Sequence, residues 1–168
     1  AESALERKGE LLAVIARAAT DLLVNPDFVR VIHQVLPAIG EAVSADRVYL
    51  FENGVGESGR GFTSQRFEWT SDSGTPQIDN PNLHEVPLDT LTEFVEAIED
   101  HGHFAAIVRE LPAGDLKSML KNQDIRSILI VPVWVRDQFW GFVGFDDCGH
   151  ERRWSEDEYL IIQSFGFE

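Results

Sequence analysis

The chain has 168 residues and is 43% hydrophobic, which supplies enough apolar material for one packed domain and excludes a disordered chain. Its formal net charge of −15 repels nucleic acid and anionic membranes, so binding to either is not expected. The single cysteine forms no internal disulfide, no secretory signal is evident, and no apolar run reaches the roughly 20 residues that span a bilayer, so a cytoplasmic location is expected.

The first stretch, residues 3–24, predicts a helix with an apolar seam. Its apolar residues repeat every seven positions in two offset series, which are Leu5, Leu12 and Ala19, then Ile15 and Leu22. Such a pattern predicts either a coiled coil between two copies of the chain or an amphipathic helix lying on its own domain. We expect these five residues to form a dimer helix.

A second helix is predicted to begin at Pro26, after the capping residue Asn25, and to be kinked by Pro37. Two strands rich in β-forming residues follow, Arg47–Glu52 and Gly61–Thr70. Residues 71–89 are then predicted to form a long polar loop, and loops of this length in compact domains are usually functional.

The second half of the chain resumes with a helix, a strand and a helix, predicted at Thr90–Glu99, His103–Val108 and Pro112–Asn122. The strands Ser127–Val135 and Phe139–Asp146 are predicted to form a hairpin, although no glycine occupies the turn at residues 136–137. A last helix is marked by the capping box of Ser155 and Glu158, and Trp154 and Tyr159 are placed to form a hydrophobic staple.

This order of elements predicts an α+β fold. Adjacent strands with short connections favour a central antiparallel sheet, here of about five or six strands, with helices on both faces. Between Arg66 and Arg109 the chain carries nine acidic residues and no Lys or Arg. Such a run indicates a solvated acidic lobe, with a cation site or a surface for a basic partner as alternatives.

Three segments in this order resemble a GAF domain, the small-molecule-sensing module of many signalling proteins. They are ADRVYLFEN at residue 45, FEWTSDSGTPQIDNPNLHEVPL at residue 67 and IRSILIVPVWVRDQFWGFVGFDDCGHERRWSEDE at residue 125. The second resembles the "EW…PQIDNP…LP" loop of GAF domains in bacterial sensor kinases and cyclic-di-nucleotide enzymes. The resemblance implies a GAF/PAS-like sheet, with residues 25–168 as the sensor domain and residues 1–24 as a linker or dimerisation helix.

The resemblance also implies a regulatory function. The domain is expected to sense a small molecule, to form a homodimer through its terminal helices, and to signal to a covalently linked output domain outside this chain, either a histidine kinase or a cyclic-di-nucleotide enzyme. The parent protein would be an enzyme, whereas the domain itself would not. A ligand-free spacer that only supports dimerisation is the alternative.

Aromatic residues near the long loop are the candidates for a ligand pocket: Tyr49, Phe51, Phe67, Trp69 and Phe94. Each is also a plausible plain core residue. No metal and no cofactor are expected, and an unidentified small molecule is the remaining ligand.

Cys148 and its neighbours Asp146 and His150 raise the question of a catalytic or metal site. A nucleophilic cysteine needs a base and an orienting third group, and a structural metal usually needs about four ligands, so neither is expected. GAF photoreceptors that carry a bilin have a cysteine in the segment that reads LKSMLKNQ here, at residues 116–123, where this chain has none. His84, His101 and His103 are candidates for a haem ligand by location only.

Overall fold

The computed structural model describes residues 26–135, 137–155 and 157–158. The predicted dimer helix, with Leu5, Leu12, Ile15, Ala19 and Leu22, lies outside the described residues, as does the part of the predicted last helix after residue 158, so those predictions stay untested. The described elements, in chain order, are α1 (Pro26–Val43), β1 (Arg47–Val55), β2 (Gly61–Thr70), β3 (Val86–Pro87), α2 (Thr92–His101), β4 (Phe104–Ile107), α3 (Asp115–Asn122), β5 (Ser127–Val135) and β6 (Gln138–Asp147).

The strands form one sheet in the order β3-β2-β1-β6-β5-β4, and every neighbouring pair is antiparallel. This confirms the predicted α+β class. The first and last long strands, β1 and β6, lie side by side at the centre, because β1 pairs with β6 from Arg47 and Asp146 to Glu52 and Gly141. In the part of the chain that the structure describes, no helix has both the length and the apolar character needed to cross a membrane.

The two faces of the sheet bury separate apolar cores. One core lies under α1, where Ile32, Leu36 and Ile39 contact strand residues such as Val48 and Phe145. The other lies under α2, α3 and the loop after β2, and its members are mainly large aliphatic and aromatic side chains. Because strand side chains alternate between faces, neighbours such as Val48 and Tyr49 belong to different cores.

Several predicted boundaries shift by a few residues. Pro37 lies within α1, which continues through it from Pro26 to Val43. The long loop after β2 holds the short strand β3, where Val86 pairs with Thr63, and this edge strand has no sequence signal because it is two residues long. The hairpin between β5 and β6 turns at Asp137, whose φ of 63° supplies the left-handed conformation usually given by glycine.

The predicted capping box at the end of the chain is confirmed. The Ser155 N–H donates to Glu158 Oε1 at 2.9 Å, and the Glu158 N–H donates to Ser155 Oγ at 3.1 Å. Trp154 packs against the core under α1, with its ring centroid 6.2 Å from that of Phe145. Its predicted staple partner, Tyr159, lies outside the described residues.

Candidate functional site

A small apolar cavity lies between the sheet and the helices α2 and α3. Its volume is about 40 Å³, and its walls come from the sheet, the loop after β2 and both helices. The lining residues are Tyr49, Phe51, Leu83, Val86, Leu91, Phe94, Phe104, Leu116, Met119, Leu120, Gln123, Ile128, Ile130 and Phe142. A buried water needs roughly 10–15 Å³, so the cavity as it stands holds only a few water-sized molecules.

Three of the five predicted pocket residues line this cavity. Tyr49 and Phe51 come from β1, and Phe94 comes from α2. The Phe142 ring is stacked on that of Phe51, with centroids 4.7 Å apart, and meets that of Phe94 edge-on at 5.2 Å. Phe142 was not among the predicted residues, although its place on a strongly apolar strand is visible in the sequence.

Phe67 and Trp69 do not line the cavity, and this corrects their grouping with the other three. Both pack against the core under α1, on the opposite face of the sheet. The cause is the register of β1 and β2, which places Phe67 opposite Leu50 and Trp69 opposite Val48. Residues directly opposite each other share a face, so these two rings follow Leu50 and Val48 to the α1 side.

The polar end of the cavity is a buried hydrogen-bonded network. The Tyr49 hydroxyl donates to Asp146 Oδ1 at 2.8 Å, and Arg47 Nε donates to Asp146 Oδ2 at 3.0 Å. The side chains of Arg47 and Asp146 are 1% and 0% exposed, so the ion pair is fully buried. The Asp146 carboxylate is thus shared between a cavity-lining hydroxyl and a buried cation.

Burial dominates the protonation of this network. It raises the pKa of Asp146 to about 6, although the charge of Arg47 and the hydrogen bonds from Tyr49 and Arg47 act to lower it. Burial also raises the pKa of Tyr49 well above its usual range, and the nearby Asp146 charge adds to the rise. At neutral pH the network therefore holds a neutral phenol, a carboxylate and a guanidinium.

Arg47 also ties this network to two elements that enclose the cavity. Its Nη1 donates to the Thr75 carbonyl oxygen at 2.9 Å, and its Nη2 donates to the Gln123 carbonyl oxygen at 2.7 Å. Thr75 lies in the covering loop, residues 71–87, whereas Gln123 follows α3 and lines the cavity. A movement of the loop or of α3 would therefore act on the Arg47 side chain.

Glu68 anchors the same covering loop from the neighbouring strand. Its carboxylate accepts hydrogen bonds from the N–H of Gln77 at 2.9 Å and from the N–H of Ile78 at 3.2 Å. Asn80 then caps a short 3₁₀ turn by accepting from the Asn82 N–H at 3.0 Å. The EW…PQIDNP pattern of the sequence thus consists largely of residues that hold this loop, which carries Leu83 and Val86 into the cavity wall.

The network ends at the exit segment, residues 147–155, which follows β6 and precedes the helix predicted to start after Ser155. Asp147 Oδ1 accepts from the N–H groups of Gly149 and His150, each at 2.9 Å, and Asp46 Oδ2 accepts from the Cys148 N–H at 2.6 Å. Burial acts to raise the pKa of Asp46, but hydrogen bonds, chiefly from the Cys148 N–H and Ser73, leave it below its usual value. The exit segment is therefore held by carboxylates next to Asp146.

Cys148 has the character of a structural thiol. Burial raises its pKa to about 11 from an ordinary value of 9.0, and the nearby charges of Asp146 and Asp46 add to the rise, whereas Arg47 lowers it. The residue does not line the cavity. Among the described residues, no group of three or more His, Cys, Asp or Glu is arranged to hold a metal ion.

We expect Cys148 to react with iodoacetamide about a hundredfold more slowly than an ordinary cysteine at mildly alkaline pH. The thiolate is the reacting form, and its fraction falls tenfold for each unit by which the pKa rises. The rate of alkylation of the folded chain, followed by mass spectrometry, checks this, with the urea-unfolded chain as the control. Equal rates in the folded and unfolded chains would contradict the raised pKa.

Two of the three histidines considered as haem ligands, His84 and His103, are not in the cavity wall. His84 lies in the covering loop and is exposed, and His103 is partly buried before β4. Neither is among the residues that line the cavity. The haem alternative therefore has no support from the position of these two side chains, and the side chain of His101 lies outside the described residues.

Comparison with known proteins places this fold and site in context. The sequence pattern of the GAF domain family matches residues 27–167. The methanogenesis regulatory histidine kinase FilI of Methanothrix harundinacea (strain 6Ac) is 44% identical over 161 residues, which cover 95% of this chain. The match spans only 18% of that kinase.

Two solved structures share the fold at low sequence identity. The phycocyanobilin-bound GAF domain from a cyanobacterial phytochrome is 16% identical with a TM-score of 0.65, over 98% of this chain and 90% of that one. The photoproduct state of GAF3 from Slr1393 of Synechocystis sp. PCC6803 is 23% identical with a TM-score of 0.61, over 82% of this chain and 87% of that one. The chain belongs to the GAF domain family, because the family pattern matches residues 27–167 and a relative is 44% identical over 95% of the chain.

Proposed function

We propose that this chain is the small-molecule-sensing domain of a signal-transduction protein of the histidine kinase type. The observation that carries the proposal is the apolar cavity whose Tyr49 hydroxyl donates a hydrogen bond to Asp146, the strand residue directly before the exit segment. The likeness to a regulatory histidine kinase supports the same role. The domain would act by binding rather than by catalysis, and its signal would pass through terminal helices to an output domain outside this chain.

The proposed signal begins with opening of the cavity. A ligand larger than a few waters fits only if the covering loop or α3 moves outward, because the present volume is about 40 Å³. Either movement acts on Arg47, which is bonded to Thr75 in the loop and to Gln123 after α3. Since Arg47 also holds Asp146, the change reaches the strand that continues into the exit segment. A ligand that binds the open state better shifts the population of that state.

The lining of the cavity favours a neutral, largely apolar ligand. Apart from the Tyr49 hydroxyl and Gln123, the lining side chains are aliphatic, aromatic or thioether groups. An ionised ligand would lose its hydration without gaining an opposite charge, which costs several kcal/mol. A covalently held bilin is not favoured, because the sole cysteine, Cys148, does not line the cavity.

The oligomeric state of the protein and its location in the cell are also part of the proposal. We propose a cytoplasmic homodimer through the helix predicted for residues 1–24, because Leu5, Leu12, Ile15, Ala19 and Leu22 follow a heptad seam. Sedimentation of the purified chain at high concentration tests the dimer. A monomer at all concentrations would contradict it.

Small aromatic probes test the sensing proposal. Toluene and indole, which are neutral, should raise the melting temperature of the purified chain and shift the amide NMR signals of cavity residues such as Tyr49 and Phe142. Benzoate, which has the same ring and a negative charge, should do neither. The matched control is Leu116→Phe, which fills part of the cavity and should weaken the response to both neutral probes.

A ligand-free spacer is the second candidate, and the small cavity volume is the observation that favours it. A spacer predicts no rise in melting temperature with toluene, indole or benzoate and no change in the signals of cavity residues. That outcome would overturn the sensing proposal and leave membership of the GAF family unaffected.

A further inference from the structure

A second hollow lies on the surface near α3, away from the apolar cavity. This basic groove has a volume of about 390 Å³, within the range typical of small-molecule sites. Its lining residues are Val108, Arg109, Lys117, Lys121, Ile125, Arg126 and Glu151. Four positive charges thus face one negative charge, in a chain whose formal net charge is −15.

The cations of the groove differ from the other cations of the domain. Among the residues that the structure describes, every Lys and Arg lies within 4.0 Å of a carboxylate oxygen except Lys117, Lys121 and Arg126. All three exceptions line the basic groove. The chain has 29 acidic and 14 basic residues, so most cations can find a carboxylate partner within it. A cluster of cations without such partners therefore indicates a site for an anion from outside the chain.

Two of these cations, Lys117 and Lys121, lie on the same helix, α3. They are one helical turn apart, and like charges at this spacing destabilise a helix. The Lys117 ammonium is fixed by hydrogen bonds to the carbonyl oxygens of Arg109 at 3.0 Å and Leu111 at 2.9 Å. One of its three N–H groups remains for a ligand. An anion bound between the two lysines would remove their repulsion.

Glu151 shows that the groove already binds a carboxylate. Its Oε2 accepts from Arg109 Nε at 2.8 Å. This hydrogen bond, with the charges of Arg109 and Arg126, holds the pKa of Glu151 below its usual value. The positions around Glu151 therefore favour negative charge, and Lys121 and Lys117 offer further donors that Glu151 does not use.

We propose that the basic groove binds a small organic polyanion that carries a phosphate group or several carboxylates. The anionic groups contact Arg109, Lys117, Lys121 and Arg126. The floor residues Val108 and Ile125 are buried and apolar, and they accommodate the carbon skeleton of the ligand. Charge-assisted hydrogen bonds of this kind are about twice as strong as neutral ones.

Binding in the groove would act on the exit segment. Glu151 belongs to that segment, and Arg126 Nη1 donates to the carbonyl oxygen of Gly149 at 3.4 Å. A polyanion competes with Glu151 for Arg109, so it releases one of the contacts that hold the exit segment to the short 3₁₀ turn after β4, residues 108–110. The groove would thus be a second input, at a site separate from the apolar cavity.

The test uses inorganic pyrophosphate and citrate as probes on the purified chain, at constant ionic strength. We expect saturable one-to-one binding by calorimetry, with amide NMR shifts confined to residues around Arg109, Lys121 and Glu151. The tighter of the two probes identifies phosphate or carboxylate as the preferred group. Lys121→Gln removes a side chain with no described hydrogen bond, so the fold is kept, and affinity should fall about fivefold or more.

Two charge-matched controls separate this site from general attraction. Arg60→Gln removes a cation that is paired with Asp89 elsewhere, and affinity should change by less than about twofold. Glu151→Gln removes the internal competitor and should tighten binding by about threefold, whereas Glu96→Gln on α2 should leave it unchanged. Binding that does not saturate, or equal effects of Lys121→Gln and Arg60→Gln, would overturn the proposal.

Discussion

Replacing Arg47 by methionine is expected to lower the free energy of unfolding by about 3–5 kcal/mol at neutral pH. The change leaves the Asp146 carboxylate buried without its cation, and it removes the donors to the carbonyl oxygens of Thr75 and Gln123. Urea unfolding measures the loss. Arg66→Met is the matched control, because Arg66 lies on a strand and pairs with Glu52 at the surface, where such pairs contribute roughly 0–1 kcal/mol.

The same variant should change how stability depends on pH. In the wild type the pKa of Asp146 is raised to about 6 from 3.8, so the folded chain holds this proton more tightly than the unfolded chain. The stabilising contribution of the protonated group is therefore complete below the unfolded pKa and is lost as the pH rises to about 6. Without Arg47 the pKa of Asp146 rises further. The free energy of unfolding of Arg47→Met should therefore keep falling above pH 6, where Asp146 no longer changes the stability of the wild type.

A double variant completes this experiment. In Arg47→Met/Asp146→Leu no charge is left buried, and replacing both partners of a buried ion pair by apolar residues is often neutral. We expect it to recover about half or more of the lost free energy of unfolding, and to lose the extra pH dependence. If Arg47→Met cost no more than Arg66→Met, the buried pair would not hold the domain together as described.

The order of elements could be predicted because each has a local signal. Alternation and β-branched residues marked β2 at Gly61–Thr70 and β5 at Ser127–Val135, and both were predicted with the bounds they have. The spacing of Ser155 and Glu158 alone predicted a capping box, and both of its hydrogen bonds are present. β3 could not be predicted, because a strand of two residues is too short to show an alternating hydrophobic pattern. Its pairing with β2 also depends on the path of the covering loop.

The candidate site was predicted only in part, because it depends on contacts between distant residues. The face to which an aromatic strand residue points is set by strand register, and the sequence offered no means to separate Phe67 and Trp69 from Tyr49 and Phe51. Arg47 and Asp146 are 99 residues apart, so no spacing rule connects them. A usable signal was nevertheless present, since a charged residue directly beside a buried apolar strand needs a partner.

The loop pattern was recognised by resemblance, and the structure now gives it a physical reason. Glu68 holds the N–H groups of Gln77 and Ile78. Trp69 packs across Gly40 of α1, where a Cβ atom would lie 2.1 Å from the Trp69 ring. Glu68 thus holds the covering loop on the cavity side of the sheet, and Trp69 packs against α1 on the opposite side. The pair joins the two layers through the alternation of a single strand.

The second large effect is expected for Phe142→Ala, which should lower the free energy of unfolding by about 3–5 kcal/mol. The side chain is 4% exposed and contacts the rings of Phe51 and Phe94 in the cavity wall. Its loss removes apolar burial and two aromatic contacts, and it leaves a void that joins the existing cavity. For a chain of this size the melting temperature should fall by roughly 6–20 °C, measurable by calorimetry or circular dichroism.

Benzene shows whether the lost ring enlarged the cavity or merely loosened the fold. An apolar void lined by aromatic side chains binds benzene, so benzene should raise the melting temperature of Phe142→Ala more than that of the wild type. Phe139→Ala is the control on the same strand, since Phe139 is partly buried and has the Trp134 ring 5.5 Å away. It should cost about 1–2 kcal/mol and gain nothing extra from benzene. Equal benzene effects in Phe142→Ala and Phe139→Ala would contradict a cavity bounded by Phe142, and with it the place where a ligand is proposed to bind.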